Sequence, residues 1–297
     1  MKRFALLLVM IPLFLIGGRR PAAAQAQKGT LRVALTRVTS SDFRHLGTRD
    51  PEKILEAGQP FGQYLERETG AKIELSTIPI NRTLIVDMVA KGEVDIVNFG
   101  GLEYVQALVR AGVRPLVQRE GDQKWQTAFI TQPDSGINTL NDLNGRRFAF
   151  SEATSVSSRV MPEYWMREAG VDPKVYETAL YTGNHEATVL AVASKKVDAG
   201  ALDRKVVEEM MRDGRITPQQ VRVFLTPRKY SDGVWAARRD LNSKLAQSFA
   251  NAMLKLEMKN AEDKRILEFL SATKYVRAKE SGYVELRKAA EADGLLR

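Results

Sequence analysis

Cysteine is absent from all 297 residues. That excludes a disulfide framework, a thiolate metal site and a lipid-modified cysteine at a processing point. Histidine is scarce: His45 and His185 are the only two, too far apart in sequence to give a metal-ligand spacing. No G-x-S-x-G run occurs, so a hydrolase triad of Ser157, His185 and Asp198 or Asp203 lacks the strained elbow that would present its nucleophile. Blocks of one charge sign are missing too. Lys and Arg alternate with Glu and Asp, which argues against a nucleic-acid-binding stripe. Internal repeats, low-complexity segments and long linkers are also lacking.

What is present begins with MKRFALLLVMIPLFLIGGRRPAAAQAQKG. A basic start at Lys2 and Arg3, an apolar run from Phe4 to Ile16 and the small residues up to Ala26 predict a secretory signal peptide, residues 1–26, and a periplasmic location. A membrane anchor fits less well, because the run is short for a bilayer and contains Pro12. With the four cations of residues 1–26 set aside, 41 basic side chains face 36 acidic ones, a net +5. That mild excess suits a small anion. The remaining chain, about 270 residues, can bury two lobes of roughly 130 each.

Strand and helix patterns then alternate. Leu31–Leu35, Lys72–Ile78 and Asp95–Gly100 read as strands, separated by helical patterns over Pro51–Glu68 and Thr83–Gly92 and followed by another over Leu102–Gly112. The rhythm restarts with strands Arg146–Phe150, Glu177–Thr182 and Val197–Leu202, each followed by a helix, around Val160–Gly170, Glu186–Lys195 and Val206–Gly214. Glycine-marked joints predict two parallel sheets covered on both faces, an α/β class. Thr127–Thr131 and Gly233–Arg238 are short extended segments placed to carry the chain between lobes. Leu241–Lys259 and Asp263–Leu270 read as helices returning to the first. The expected division is lobe 1 over 27–131 and 234–297, and lobe 2 over 132–233.

Ligands of open α/β sheets sit at the carboxyl ends of strands, where helix N-termini point. After Arg146–Phe150 comes SEATSVSSRVMP, with five hydroxyl residues: Ser151, Thr154, Ser155, Ser157 and Ser158. One hydroxyl suffices to cap a helix. The surplus, beside the unpaired amides of a helix start, suits an anion, each helix terminus contributing about 0.3–1 kcal/mol. His185 opens the helix after the next strand, where it donates to an anion or merely packs. Gly100-Gly101 permits close backbone approach and puts Tyr104 in a first helical turn. Arg82, after the second strand, is either an oxyanion clamp or a solvated surface arginine.

These residues resemble the phosphate/phosphite/phosphonate substrate-binding proteins of ABC transporters, over nearly the whole mature chain. The resemblance is carried by Gln59-Pro60, Tyr64-Leu65-Glu66, Gly92-Glu93-Val94-Asp95-Ile96, Phe99-Gly100, Asp134-Ser135-Gly136-Ile137, Leu143-Asn144-Gly145, Ser155 to Pro162, Gly183-Asn184-His185-Glu186-Ala187 and Val197-Asp198-Ala199-Gly200. It implies the type II periplasmic-binding-protein fold, two α/β lobes joined by two hinge crossovers. The implied function is non-catalytic: capture of a small oxyanion between the lobes, without cofactor or metal, by a monomer that hands it to a permease. On this resemblance Ser155 and Ser157 match two ligand-binding serines, His185 the histidine that contacts the same oxygens, Tyr104 an aromatic position beside the cleft, and Asp232 an acidic position near the return crossover. Val156 stands where the family has threonine, Ser158 where it has glycine, and Arg82 where many members have tyrosine. Lys205 falls near a carboxylate of the aminophosphonate binders, which argues for phosphite, phosphate or a simple phosphonate over an aminophosphonate. The alternatives are a sulfonate, carboxylate or pyrimidine-precursor binder of the same fold, or a sensor module that signals to a kinase.

Overall fold

The computed structural model describes residues 29–36, 46–48, 50–78 and 82–296. The predicted signal segment and His45 lie outside the described residues, as does the side chain of Arg82. Among the described residues, no helix is long and apolar enough to cross a membrane.

The strands form two sheets. The first contains β1 (Thr30–Leu35), β2 (Lys72–Thr77), β3 (Ile96–Phe99), β4 (Arg114–Arg119), β10 (Val234–Ala237) and β11 (Tyr275–Arg277), in the order β11-β4-β10-β3-β1-β2. The second contains β5 (Thr127–Thr131), β6 (Phe148–Phe150), β7 (Leu180–Tyr181), β8 (Ala199–Asp203) and β9 (Arg222–Leu225), in the order β7-β6-β8-β5-β9. β1 is parallel to β2 and β3, and β6 is parallel to β7 and β8. The all-parallel expectation holds only for these segments. β5 runs antiparallel to β8 and β9, and β10 antiparallel to β3 and β4. Both follow the crossings from one sheet to the other, so each enters its sheet against the direction of the local β-α repeats. β5, at the end of the span 27–131, bonds into the second sheet.

Helices α1 (Pro51–Ala57) and α2 (Gln59–Thr69) occupy the stretch that reads as one helix. They separate at Gly58 because Pro60, just inside α2, has no N–H to continue the ladder. Gly70 closes α2 at φ +69°, and Phe61, Tyr64 and Leu65 bury one face of it at helical spacing. The remaining helices are α3 (Arg82–Ala90), α4 (Gly101–Ala111), α5 (Met161–Glu168), α6 (Pro173–Glu177), α7 (His185–Ala193), α8 (Arg204–Arg212), α9 (Ser243–Lys255), α10 (Ala261–Phe269) and α11 (Val284–Ala292). The strand expected over 177–182 shrinks to β7, because Asp172 caps a helix that Pro173 starts.

One apolar cluster packs α1, α2, α9 and α10 on the first sheet, and a smaller one packs α7 and α8 on the second. A third runs continuously from the first sheet through Phe129, Phe150 and Trp165 to Tyr283, Leu286 and Ala289 of the C-terminal segment. Each fully buried side chain of this size contributes about 1.5–3 kcal/mol. Asp95, fully buried, bridges Arg32 and Arg238 at 2.8 Å each and so ties β1, β3 and β10 together. Burial alone would raise its pKa, but the bonds from Arg32 and Arg238 hold it below the usual carboxylate range.

α11 packs against α4 and also touches α5. Its following residue, Asp293, forms ion pairs with Arg159 at 2.8 Å and Arg167 at 3.0 Å. Glu285 accepts from Trp165 Nε1 at 3.3 Å and pairs with Arg228. The C-terminal helix is thus fastened to the part of the chain that follows β6.

Candidate functional site

After β6, the chain passes through Ser151 and a short loop into a π-helical turn, Val156–Val160, which runs on into α5. Ser155 is its N-cap, and Val160 N–H reaches back to the Ser155 carbonyl at 3.0 Å. Met161 N–H likewise bonds to the Val156 carbonyl. The next donor in this register would be Pro162, which has none, so the Ser157 carbonyl loses its helical partner. Thr127, the first residue of β5, fills that gap: its hydroxyl donates to the Ser157 carbonyl at 2.8 Å. A wide turn of this kind needs such outside support, and such turns are frequent at functional sites.

The serines of this turn are mutually braced. Ser151 N–H donates to Ser158 Oγ at 3.2 Å, and Ser158 N–H donates to Ser155 Oγ at 3.3 Å. Ser158 is fully buried, Ser157 nearly so, and Ser155 half-buried. The amide of Ser158, expected as an open anion donor, is therefore taken by Ser155.

The loop after β7 is zipped onto the same place. Thr182 N–H bonds to the Phe150 carbonyl at 3.0 Å, and Gly183 N–H to the Ser151 carbonyl at 2.8 Å. Gly183 makes the bend at φ +87°, and Asn184 then caps α7 through a 2.8 Å bond from Ala187 N–H. His185 is thereby set beside Ser151, whose Oγ lies 3.1 Å from Nδ1. The hydrolase constellation that the sequence argued against is not assembled either. The serine at the ring is Ser151, the Asp198 carboxylate is engaged by Arg147 at 2.7 Å, and Asp203 meets His185 through its backbone N–H at 3.4 Å.

Asp203, at the end of β8, caps α8 by accepting from Lys205 N–H at 3.0 Å. Burial pushes its carboxyl up to about 6; the Lys205 amide and charge oppose the rise, and the charge of Asp232 adds to it. Lys205 itself is exposed, with Nζ over the Trp125 ring 4.8 Å from its centroid. Trp125 and Tyr230 exchange backbone bonds at 3.0 and 3.2 Å, which tie together the segments entering and leaving the second sheet. The Tyr230 phenol is buried within side-chain bonding reach of Thr127 and Ser157. Burial, and next the Asp232 charge, raise its pKa well above the ordinary value.

Asp232 is buried, and its Oδ1 accepts from Gly101 N–H at 2.8 Å, capping α4 from far along the chain. A Cβ at Gly101 would stand 2.6 Å from that oxygen and 2.7 Å from Leu286, so glycine is required there for space. The structure thus brings Ser155, Ser157, Ser158 and His185 to one polar region, and electrostatics link Asp232 to it through Tyr230 and Asp203. Tyr104 does not join them: it is fully buried, edge-on to Tyr283 at 4.5 Å, with a hydroxyl that has no hydrogen-bond partner among the described residues. Burial accordingly raises its pKa. Arg82 begins α3, and its side chain is outside the described residues.

Tyr230 and the roles of Thr127 and Ser151 are absent from the sequence reading. The only local signal was the proline after the serine run, which implies an orphaned carbonyl. Two surface hollows, about 360 and 490 Å3, lie elsewhere on the second sheet's helices, and neither is lined by the serine turn or His185. Among the described residues no group of three His, Asp or Glu is arranged to hold a metal.

Comparison with known proteins gives one consistent result. The family of ABC transporter phosphonate periplasmic substrate-binding proteins matches residues 45–283. A probable ABC transporter phosphite-binding protein of Prochlorococcus marinus is 29% identical over 230 residues, 73% of this chain and 77% of that one. The phosphate-import protein of Mycolicibacterium smegmatis is 28% identical over 224 residues, 71% of this chain and 67% of that one. Among solved structures, the Prochlorococcus marinus protein in complex with methylphosphonate superposes with a TM-score of 0.67 at 24% identity, covering 91% of this chain and 100% of that one. The fold is therefore that of the type II periplasmic binding proteins.

Proposed function

Because the chain belongs to the family of periplasmic substrate-binding proteins of phosphonate ABC transporters, we propose that it captures a phosphite-, phosphonate- or phosphate-like oxyanion between its two lobes and delivers it to a membrane permease. It does so in the periplasm, after removal of residues 1–26, and without catalysing a reaction. The observation that carries this reading is the direction of the bonds in the serine turn. Ser155 Oγ and Ser158 Oγ both accept from main-chain N–H groups. Each hydroxyl therefore keeps its own proton for another acceptor, and an oxyanion supplies such acceptors.

Closure removes water from the ligand, so every anionic oxygen needs a donor. Ser155, Ser157, Ser158 and His185 provide donors from the second lobe, and Arg82 would provide one from the first. Asp232 and Asp203 are acceptors, and they suit a ligand that keeps one acidic proton. That supports a protonated phosphorus oxyanion over sulfate, which has no proton to offer. Tyr104, a core residue, acts by supporting α4 beneath Gly101. The hinge would comprise the crossings that lead into Phe129–Thr131 of β5 and Val234–Ala236 of β10, since the chain changes sheets just before each strand.

Titration calorimetry with phosphite, methylphosphonate, phosphate and sulfate tests the proposal. Binding of at least one phosphorus oxyanion, weakened at least tenfold by Ser157→Ala and by His185→Ala in a folded protein, is the expected result. Full affinity in both variants, or sulfate bound as tightly as the others, would refute it.

A further inference from the structure

Hydrogen-bond directions around His185 specify which ring nitrogen carries the proton. Asp203 N–H points at Nδ1 from 3.4 Å. An amide N–H only donates, so Nδ1 presents a lone pair. The Ser151 hydroxyl, 3.1 Å from the same nitrogen, must then be the donor in that contact. Its oxygen is left as an acceptor 3.0 Å from Thr188 Oγ1, which lies 2.7 Å from the Thr182 hydroxyl. Thr188 and Thr182 also have the Asn184 carbonyl within donating reach, at 3.2 and 3.0 Å, so the proton whose direction the ring fixes is that of Ser151.

We propose that Ser151 is a positioning residue: with the Asp203 amide it holds His185 as the neutral tautomer protonated on Nε2, so that the imidazole offers an oxyanion an Nε2–H donor without carrying a positive charge. This rests on the reading of His185 as a ligand contact. Ser151 is buried, and its amide is spent on Ser158 and its carbonyl on Gly183. It therefore serves the ligand only through the ring and the serine turn. Because Ser151 directly follows β6, His185 opens the helix after β7 and Asp203 ends β8, the second sheet itself sets the orientation of the donor.

The tautomer is directly measurable. The chain has only two histidines, so imidazole nitrogen NMR of the 15N-histidine-labelled protein at pH 7.5 is assigned by subtracting the spectrum of His185→Gln. A protonated Nε2 with an unprotonated Nδ1 on His185 is expected. A proton on Nδ1, or a doubly protonated ring, would overturn the assignment. Ser151→Ala should lower phosphite or methylphosphonate affinity roughly three- to thirtyfold and raise the population protonated on Nδ1; no change in either would count against a positioning role.

A pair of substitutions separates the two nitrogens by shape. His185→Gln places an amide near the Nε2 position and should keep binding within about tenfold of wild type. His185→Asn reaches only the Nδ1 position and should lose roughly ten- to a hundredfold. The reverse ranking would overturn the proposal. Full affinity in both would show that His185 is not a ligand contact, which sinks the site reading while the NMR result stands apart from it.

Discussion

Asp203→Asn should make the unliganded protein more stable at neutral pH but not at acid pH. The Asp203 carboxyl is 8% exposed and is pushed up to about 6 from an ordinary 3.8. A shift of about two pKa units corresponds to about 3 kcal/mol between the protonated and ionised forms. The native state binds this proton more tightly than the unfolded state. The contribution is therefore fully present below about pH 4 and is lost as pH rises from there through about 6. Above that, the ionised carboxylate costs the fold up to about 3 kcal/mol. Asparagine cannot ionise, yet it accepts the Lys205 N–H bond as well as aspartate does at an N-cap. Urea unfolding at pH 4 and pH 7.5 is the assay, with the wild-type change subtracted so that other titrating groups cancel. The variant should match the wild type at pH 4 and exceed it by about 1–3 kcal/mol at pH 7.5. Equal stabilities at both pH values, or a variant less stable at pH 7.5, would show that Asp203 is not held in a desolvated, like-charged position.

Three further outcomes follow from single contacts. Asp293→Ala removes one of the two carboxylates shared by Arg159 and Arg167, while Glu163 stays paired with both, so it should cost only about 1–3 kcal/mol in urea unfolding. Thr127→Val keeps the shape but strands the Ser157 carbonyl, so it should destabilise by about 1–3 kcal/mol and weaken oxyanion binding in calorimetry. Gly101→Ala forces a methyl group against Asp232 and Leu286 and should lower stability by about 1–3 kcal/mol in thermal unfolding.

The sequence reading and the structure agree where chemistry is local. Strand–helix alternation, the serine-rich turn after β6 and the histidine that opens α7 all depend on neighbours within a few residues, and each was legible. The single helix drawn over 51–68 overlooked a local signal, Pro60, which interrupts the ladder at Gly58. β4, β9 and β11 were missed for a different reason. Arg114–Arg119 has an arginine at each end and carries Pro115, yet it is held between β10 and β11 by partners more than a hundred residues away. Its strand character comes from the sheet and not from its own pattern.

The same distinction explains the site. Tyr104 sits in a first helical turn, as read, but whether that turn faces a crevice or a core depends on what covers it. Tyr283 and Leu286 of the C-terminal segment cover it, and their apolar spacing reads equally well as a contact to any layer. That segment also reaches the serine turn. Arg159 directly follows Ser158 in the π-helical turn, and its guanidinium holds Asp293, while α11 rests on α4, the helix that Asp232 caps. A shift of the serine turn relative to α4 must therefore either break the Arg159–Asp293 pair or carry α11 with it. The serine turn is thus mechanically joined to α4 and the first sheet by the C-terminal helix as well as by the two crossovers, and a change at Ser155–Ser158 has three routes into that sheet.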